Sequence, residues 1–122
     1  MSSILVVDDV ADIRLLCRIV LESGGHQVSE AETGEGALAT LQPSPGSAMP
    51  DCVLLDINLP GIDGWEVLRQ IHERPDLGPV KVIAFSAHAS PAEERKAAQE
   101  GASGFLRKPF TPDDLLAVFG AG

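Results

Sequence analysis

Short aliphatic runs that stop abruptly at charged residues constrain this chain more than any other feature. Ile4-Leu5-Val6-Val7 leads into Asp8-Asp9, Cys52-Val53-Leu54-Leu55 into Asp56, and Gly104-Phe105-Leu106 into Arg107-Lys108-Pro109. Runs this short and this apolar read as parallel strands buried between two layers of helix. The charges then collect where the strands end, and in an open α/β sheet that rim is where ligands bind.

Helical spacing separates the runs. Between Asp12 and Ser23, Ile13, Leu16, Cys17 and Val20 recur on one face, which predicts a helix with those four as its core stripe, stopped by Gly24-Gly25. Gln27-Val28-Ser29-Glu30-Ala31 alternates like an edge strand, and Gly34 to Leu41 predicts a short helix ended by Gln42-Pro43. A loop holding Pro43, Pro45 and Pro50 leads into the strand at Cys52 to Leu55. A helix over about Gly64 to Glu73 and a strand over Val80 to Phe85 follow. Ser90-Pro91-Ala92-Glu93 opens the next helix with a cap, a first-turn proline and an acid, and Gly101 closes it. Gly104 to Leu106 is the last strand, and Thr111-Pro112-Asp113-Asp114 opens a short final helix reaching about Phe119.

Five such units with right-handed crossovers predict a doubly wound α/β domain with a five-stranded parallel sheet. The flavodoxin-like strand order 2-1-3-4-5 would put strands 1 and 3 on either side of the switch point and gather Asp8, Asp9, Asp56, Ser86 and Lys108 at one edge. A length of 122 residues at 44% hydrophobic content fits one domain, residues 1–122, with one proper core. The net charge of -9 repels nucleic acid and anionic lipid over most of the surface. No apolar run approaches the ~20 residues that cross a bilayer, and no basic segment precedes a long apolar one, so the expectation is a soluble, cytoplasmic protein. Cys17 and Cys52 lack metal-ligand spacing and read as buried thiols, and His26, His72 and His88 share no ligand spacing either.

The clustered charges imply a chemistry. Three carboxylates held together raise one another's pKa unless something positive is present. Asp8, Asp9 and Asp56 carry -3 and Lys108 +1, and the remaining -2 matches one divalent cation. A small, hard ion held by a few oxygens and water suits Mg²⁺. Such a metal beside a lysine can share the oxygens of a phosphoryl group, with an Asp carboxylate as the available nucleophile. Ser86 adds a hydroxyl at the same edge.

In these residues the chain resembles the receiver domain of bacterial two-component response regulators, of the chemotaxis-regulator kind, along essentially its whole length. Asp8-Asp9 resembles the acidic pair after strand 1, Asp56 the phosphoacceptor after strand 3, Ser86 the hydroxyl residue after strand 4, and Lys108-Pro109 the lysine and its cis-proline after strand 5. Leu59-Pro60-Gly61-Ile62-Asp63-Gly64 and Gly101-Ala102-Ser103-Gly104-Phe105 support the match. The resemblance implies that a phosphohistidine on a sensor histidine kinase or histidine phosphotransfer protein donates to Asp56. It implies Mg²⁺, or Mn²⁺ in its place, on Asp9, Asp56 and the Asn58 backbone carbonyl, with Asp8 acting largely through water. Lys108 would pair with a phosphoryl oxygen, Ser86 would move to bond another, and Phe105 would rotate inward. Asn58 and His88, two residues past Asp56 and Ser86, stand where the family tunes phosphoryl hydrolysis. The net charge and the lack of a long apolar run lead to the expectation of no direct nucleic-acid or membrane binding, and the length to that of no output domain in this chain; the resemblance implies no turnover of an external substrate and a monomer or weak phosphorylation-dependent dimer. Phe105 departs from the commoner tyrosine and lacks a polar anchor in its outward pose.

Duller readings stand beside these. Asp8 can be a helix cap or loop acid, Asp56 a turn residue, Ser86 a cap. Trp65 reads as a partly buried packing residue. Leu15 and Ile19 form a second apolar pair at i,i+4 on the first helix, either part of a docking surface for a helical phosphodonor or ordinary lateral packing. A haloacid-dehalogenase-type phosphatase would need a second acid where this chain has Asn58. A flavin-binding protein of the same fold would need a phosphate cradle where the first loop here is acidic.

Overall fold

A computed structural model describes residues 2–42, 49–87 and 90–119. Pro43 and Pro45 of the predicted proline loop, and His88, lie outside the described residues. Five strands, β1 (Ser3–Val7), β2 (Gln27–Ala31), β3 (Cys52–Asp56), β4 (Lys81–Ser86) and β5 (Gly104–Arg107), form one parallel sheet in the order β2-β1-β3-β4-β5. The helices are α1 (Ala11–Ser23), α2 (Gly34–Thr40), α3 (Gly64–His72), α4 (Pro91–Gln99) and α5 (Pro112–Val118). The doubly wound architecture expected from the alternation is therefore present, with a short 3₁₀ turn at Pro75–Leu77 that the apolar pattern did not announce.

Strand alternation divides the core. Leu5, Val7, Val53, Leu55 and Val82 pack on Ala37, Leu41, Val67, Leu68 and Ile71 of the α2–α3 side. Ile4, Val6, Leu54 and Phe85 pack on Cys17, Val20, Leu21 and Leu115 of α1 and α5. Every residue of β1 from Ile4 to Val7 is inaccessible to solvent, which is why that run shows no polar face. β2 sits at the sheet edge and is mostly exposed, as its alternation predicted; Arg14 and Arg18 of α1 reach across it to Glu30 at 3.0 and 2.7 Å.

Helix α1 is rotated from the predicted stripe. Cys17, Val20 and Leu21 are buried and Ile13 half-buried, whereas Leu16 is 41% exposed. A 3.6-residue period accommodates Ile13 with either Leu16 or Leu21, and packing against α5 selects Leu21. Cys52 is likewise only half-buried, because it begins β3 at the edge of the core; both thiols are free. Helices α4 and α5 carry the side-chain caps expected of Ser90 and Thr111, and the structure adds Thr33 and Asp63 as caps of α2 and α3.

Candidate functional site

The carboxyl ends of β1, β3, β4 and β5 bring Asp8, Asp56, Ser86 and Lys108 together. Asp8 and Asp56 use their two oxygens in the same way. Asp8 Oδ1 accepts the N–H of Val10 at 2.8 Å, and Asp56 Oδ1 accepts the N–H of Asn58 at 2.8 Å. Each acid thus locks one oxygen onto the backbone two residues ahead and aims the other at Lys108. The Lys108 ammonium donates to Asp8 Oδ2 at 2.9 Å and to Asp56 Oδ2 at 3.4 Å, and lies 4.5 Å over the Phe85 ring. The turn readings of Asp8 and Asp56 therefore hold for one oxygen of each and leave the other for the site.

Burial sets the electrostatics. Asp8 is inaccessible to solvent and Asp56 only 3% exposed. Burial pushes the Asp56 carboxyl above its ordinary value, and the negative charge of Asp8 adds to this, while the Asn58 N–H and the Lys108 charge pull the other way. Burial alone would lower the Lys108 ammonium, but its hydrogen bond to Asp8 and the two carboxylate charges outweigh it, and its pKa is raised. The ion stays charged.

Asp9 completes the cluster. One carboxylate oxygen from each of Asp8, Asp9 and Asp56 lies within 4.8 Å of the others, a set of hard donors whose spacing and excess negative charge fit a small divalent ion. Ser86 is fully buried at the end of β4 and donates its hydroxyl to Asn58 Oδ1 at 2.9 Å; the cap of α4 is Ser90 instead. Phe105 is half-buried, opposite Ala84 on the neighbouring strand and packed by Ile57, Ala84 and Ala97. The Lys108–Pro109 peptide is cis. Trp65 is half-buried with the Lys96 ammonium 4.3 Å over its ring. Leu15 and Ile19 are 54% and 58% exposed.

Four supports escaped the sequence reading. Arg14 donates to the Asp8 carbonyl at 2.6 Å, and Phe85 lies beneath Lys108. Gly64 begins α3 where a Cβ would collide with Ile57 Cα and the Asp56 carbonyl oxygen, so only glycine lets α3 start this close to the strand end. Gly61, at φ 76, turns the same loop. The Leu59-to-Gly64 stretch was the one available signal, and it names neither contact.

Among the described residues, no helix is long and apolar enough to cross a membrane. The family profile described as response regulator receiver domain matches residues 4–119. Protein PilH of Pseudomonas aeruginosa is 31% identical over 121 residues, covering 99% of this chain and 97% of PilH. The transcriptional regulatory protein ResD of Bacillus subtilis is 36% identical over 115 residues, covering 94% of this chain but 45% of ResD. The chain spans half or less of several other curated relatives too, such as 23% of the DNA-binding transcriptional regulator NtrC of Salmonella typhimurium. The chemotaxis response regulator CheY4 of Vibrio cholerae superposes with a TM-score of 0.88 at 29% identity, covering 98% of this chain and 96% of that one. Receiver domains are signalling domains rather than metabolic enzymes; they typically bind Mg²⁺ at an acidic cluster and interact with histidine kinases or phosphotransfer proteins. Sequence, fold and the clustered charges at the sheet rim agree, and the chain belongs to the response regulator receiver domain family of two-component signalling.

Proposed function

We propose that Asp56 accepts a phosphoryl group from a phosphohistidine of a sensor histidine kinase or histidine phosphotransfer protein in a Mg²⁺-dependent reaction, and that the product alters the surface through Ser86 and Phe105. The observation that carries this is the division of labour within Asp56: Oδ1 is held by the Asn58 N–H while Oδ2 faces the Lys108 ammonium. A carboxylate so fixed attacks phosphorus in one orientation. The P–N bond breaks with its electron pair going to the donor imidazole, and a P–O bond to Asp56 forms a mixed anhydride. Asp8, Asp9, Asp56 and the Asn58 carbonyl would hold the ion, whose chemistry is to neutralise charge and polarise phosphoryl oxygens.

Lys108 then exchanges one carboxylate partner for a phosphoryl oxygen, and Ser86 turns its hydroxyl toward another. Phe105 moves inward behind it, toward Ala84 and Ala97. The same reading makes Asn58 and His88 tuning residues and places the protein in the cytoplasm. Donor docking falls to Leu15 and Ile19. Together with Val10 and Leu16 they are the large apolar side chains exposed among the described residues, and all four lie on α1 or its cap. Leu16 also borders a groove of about 390 Å³ lined by Ile13, Ala87, Lys108, Pro109 and Phe110, so the apolar face runs up to the site.

Intact-mass measurement after incubation with acetyl phosphate tests the proposal. The expected result is a Mg²⁺-dependent, base-labile gain of one phosphoryl group that Asp56→Asn abolishes. Modification that persists in Asp56→Asn moves the acceptor elsewhere.

A further inference from the structure

Asn58 grips the end of β3 and the end of β4 at once. Its backbone N–H donates to Asp56 Oδ1 and its side-chain Oδ1 accepts the Ser86 hydroxyl, at 2.8 and 2.9 Å. The side chain is otherwise exposed, while Ser86 is fully buried. A serine hydroxyl has one proton to donate. For Ser86 to donate to a phosphoryl oxygen, that proton must first leave Asn58.

We propose that the Asn58 carboxamide is a positioning residue that holds the Ser86 hydroxyl in the unmodified state and so sets the threshold for the switch; this rests on the phosphoacceptor reading of Asp56. Phosphorylation acts on both of Asn58's bonds in the same direction. Converting the carboxylate to an anhydride removes the charge from the acceptor of the Asn58 N–H, so that bond weakens. At the same event Ser86 gains a charged acceptor, whose hydrogen bonds are roughly twice as strong as that to a neutral amide. The exchange of acceptors therefore runs one way when Asp56 is modified and back when it is not.

Removing the carboxamide lowers the threshold. The probe is beryllium fluoride with saturating Mg²⁺, which forms a tetrahedral phosphoryl-like adduct on a carboxylate, titrated by ¹⁹F NMR. Four proteins form a cycle: wild type, Asn58→Ala, Ser86→Ala and the double variant. Losing one neutral hydrogen bond to Ser86 is expected to tighten fluoride binding about five-fold in the wild-type background. In the Ser86→Ala background the same change is expected to have no effect, a difference that a purely structural role for Asn58 would not produce. Unchanged or weaker binding by Asn58→Ala, an equal gain in both backgrounds, or a matching change in Mg²⁺ affinity measured without fluoride overturns the assignment. No adduct on wild type, or an adduct retained in Asp56→Asn, instead overturns the phosphoacceptor reading beneath it.

Discussion

Replacing Asp56 by asparagine should stabilise the metal-free protein. At an effective dielectric constant of about 20, like charges at 4.8 Å, the widest separation within this cluster, repel by about 3.5 kcal/mol. Asp56 faces two such neighbours, Asp8 and Asp9. Its attraction to Lys108 across 3.4 Å is worth about 5 kcal/mol on the same scale, so roughly 2 kcal/mol of repulsion remains beside the burial that is the first cause of the raised Asp56 carboxyl. Asparagine removes that repulsion but turns an N–H₂ toward either Lys108 or the Asn58 N–H, which costs about 1 kcal/mol. The net gain of about 1 kcal/mol corresponds to a rise in Tm of about 4 °C for a chain of 122 residues. The assay is thermal and urea unfolding of both proteins in chelator and in saturating Mg²⁺. In Mg²⁺ the order should reverse, because three carboxylates bind the ion more tightly than two and ligation adds to wild-type stability. The pH dependence has a fixed sign. A carboxyl whose folded pKa is raised above the ordinary 3.8 costs nothing at pH values below 3.8, costs progressively more as pH rises toward the folded value, and is fully unfavourable above it. The advantage of Asp56→Asn in chelator should therefore vanish in acid and grow on moving toward neutrality. A variant less stable than wild type in chelator at neutral pH, or a pH-independent difference, would refute the charge argument.

Changing Leu15 and Ile19 together to lysine should slow phosphotransfer from a protein donor yet spare labelling by acetyl phosphate; equal loss with both donors in a folded protein removes the docking role. Gly64→Ala should destabilise by more than 2 kcal/mol in urea unfolding, since the collision is with backbone at Ile57 and Asp56 that cannot swing aside. Burial pushes the Cys17 thiol up to about 12, with the Asp8 charge adding to it, so a thiol reagent should modify Cys17 at neutral pH only at the rate of unfolding. Modification of Cys17 in the native state faster than unfolding would contradict that burial.

Much of the site was legible because its members sit where strand runs end. Asp8 and Asp56 directly follow an apolar run and Lys108 stands one residue past another, so strand assignment and parallel pairing suffice to bring them together. Ser86 was harder to read, since one serine after a strand is equally a cap; its burial and its bond to Asn58 belong to three dimensions. Leu16 shows the limit of periodicity, because two neighbouring stripes satisfy the same period and only the partner helix chooses between them. Gly64 shows another. A glycine at the start of a helix carries no mark of what lies above it, and the reason for it is the backbone of a strand eight residues earlier in the chain.

The contact between Lys108 and Asp8 joins residues 100 apart in sequence, and that between Lys108 and Asp56 joins residues 52 apart. The entropy of closing such loops must be met before either contact forms. A folding intermediate with β1 and β3 paired but β5 undocked would hold the acidic residues together with no ammonium between them, and would be driven apart by its own charge. Assembly of the rim is thus coupled to arrival of the last strand, and an incompletely folded chain presents no charge-balanced site.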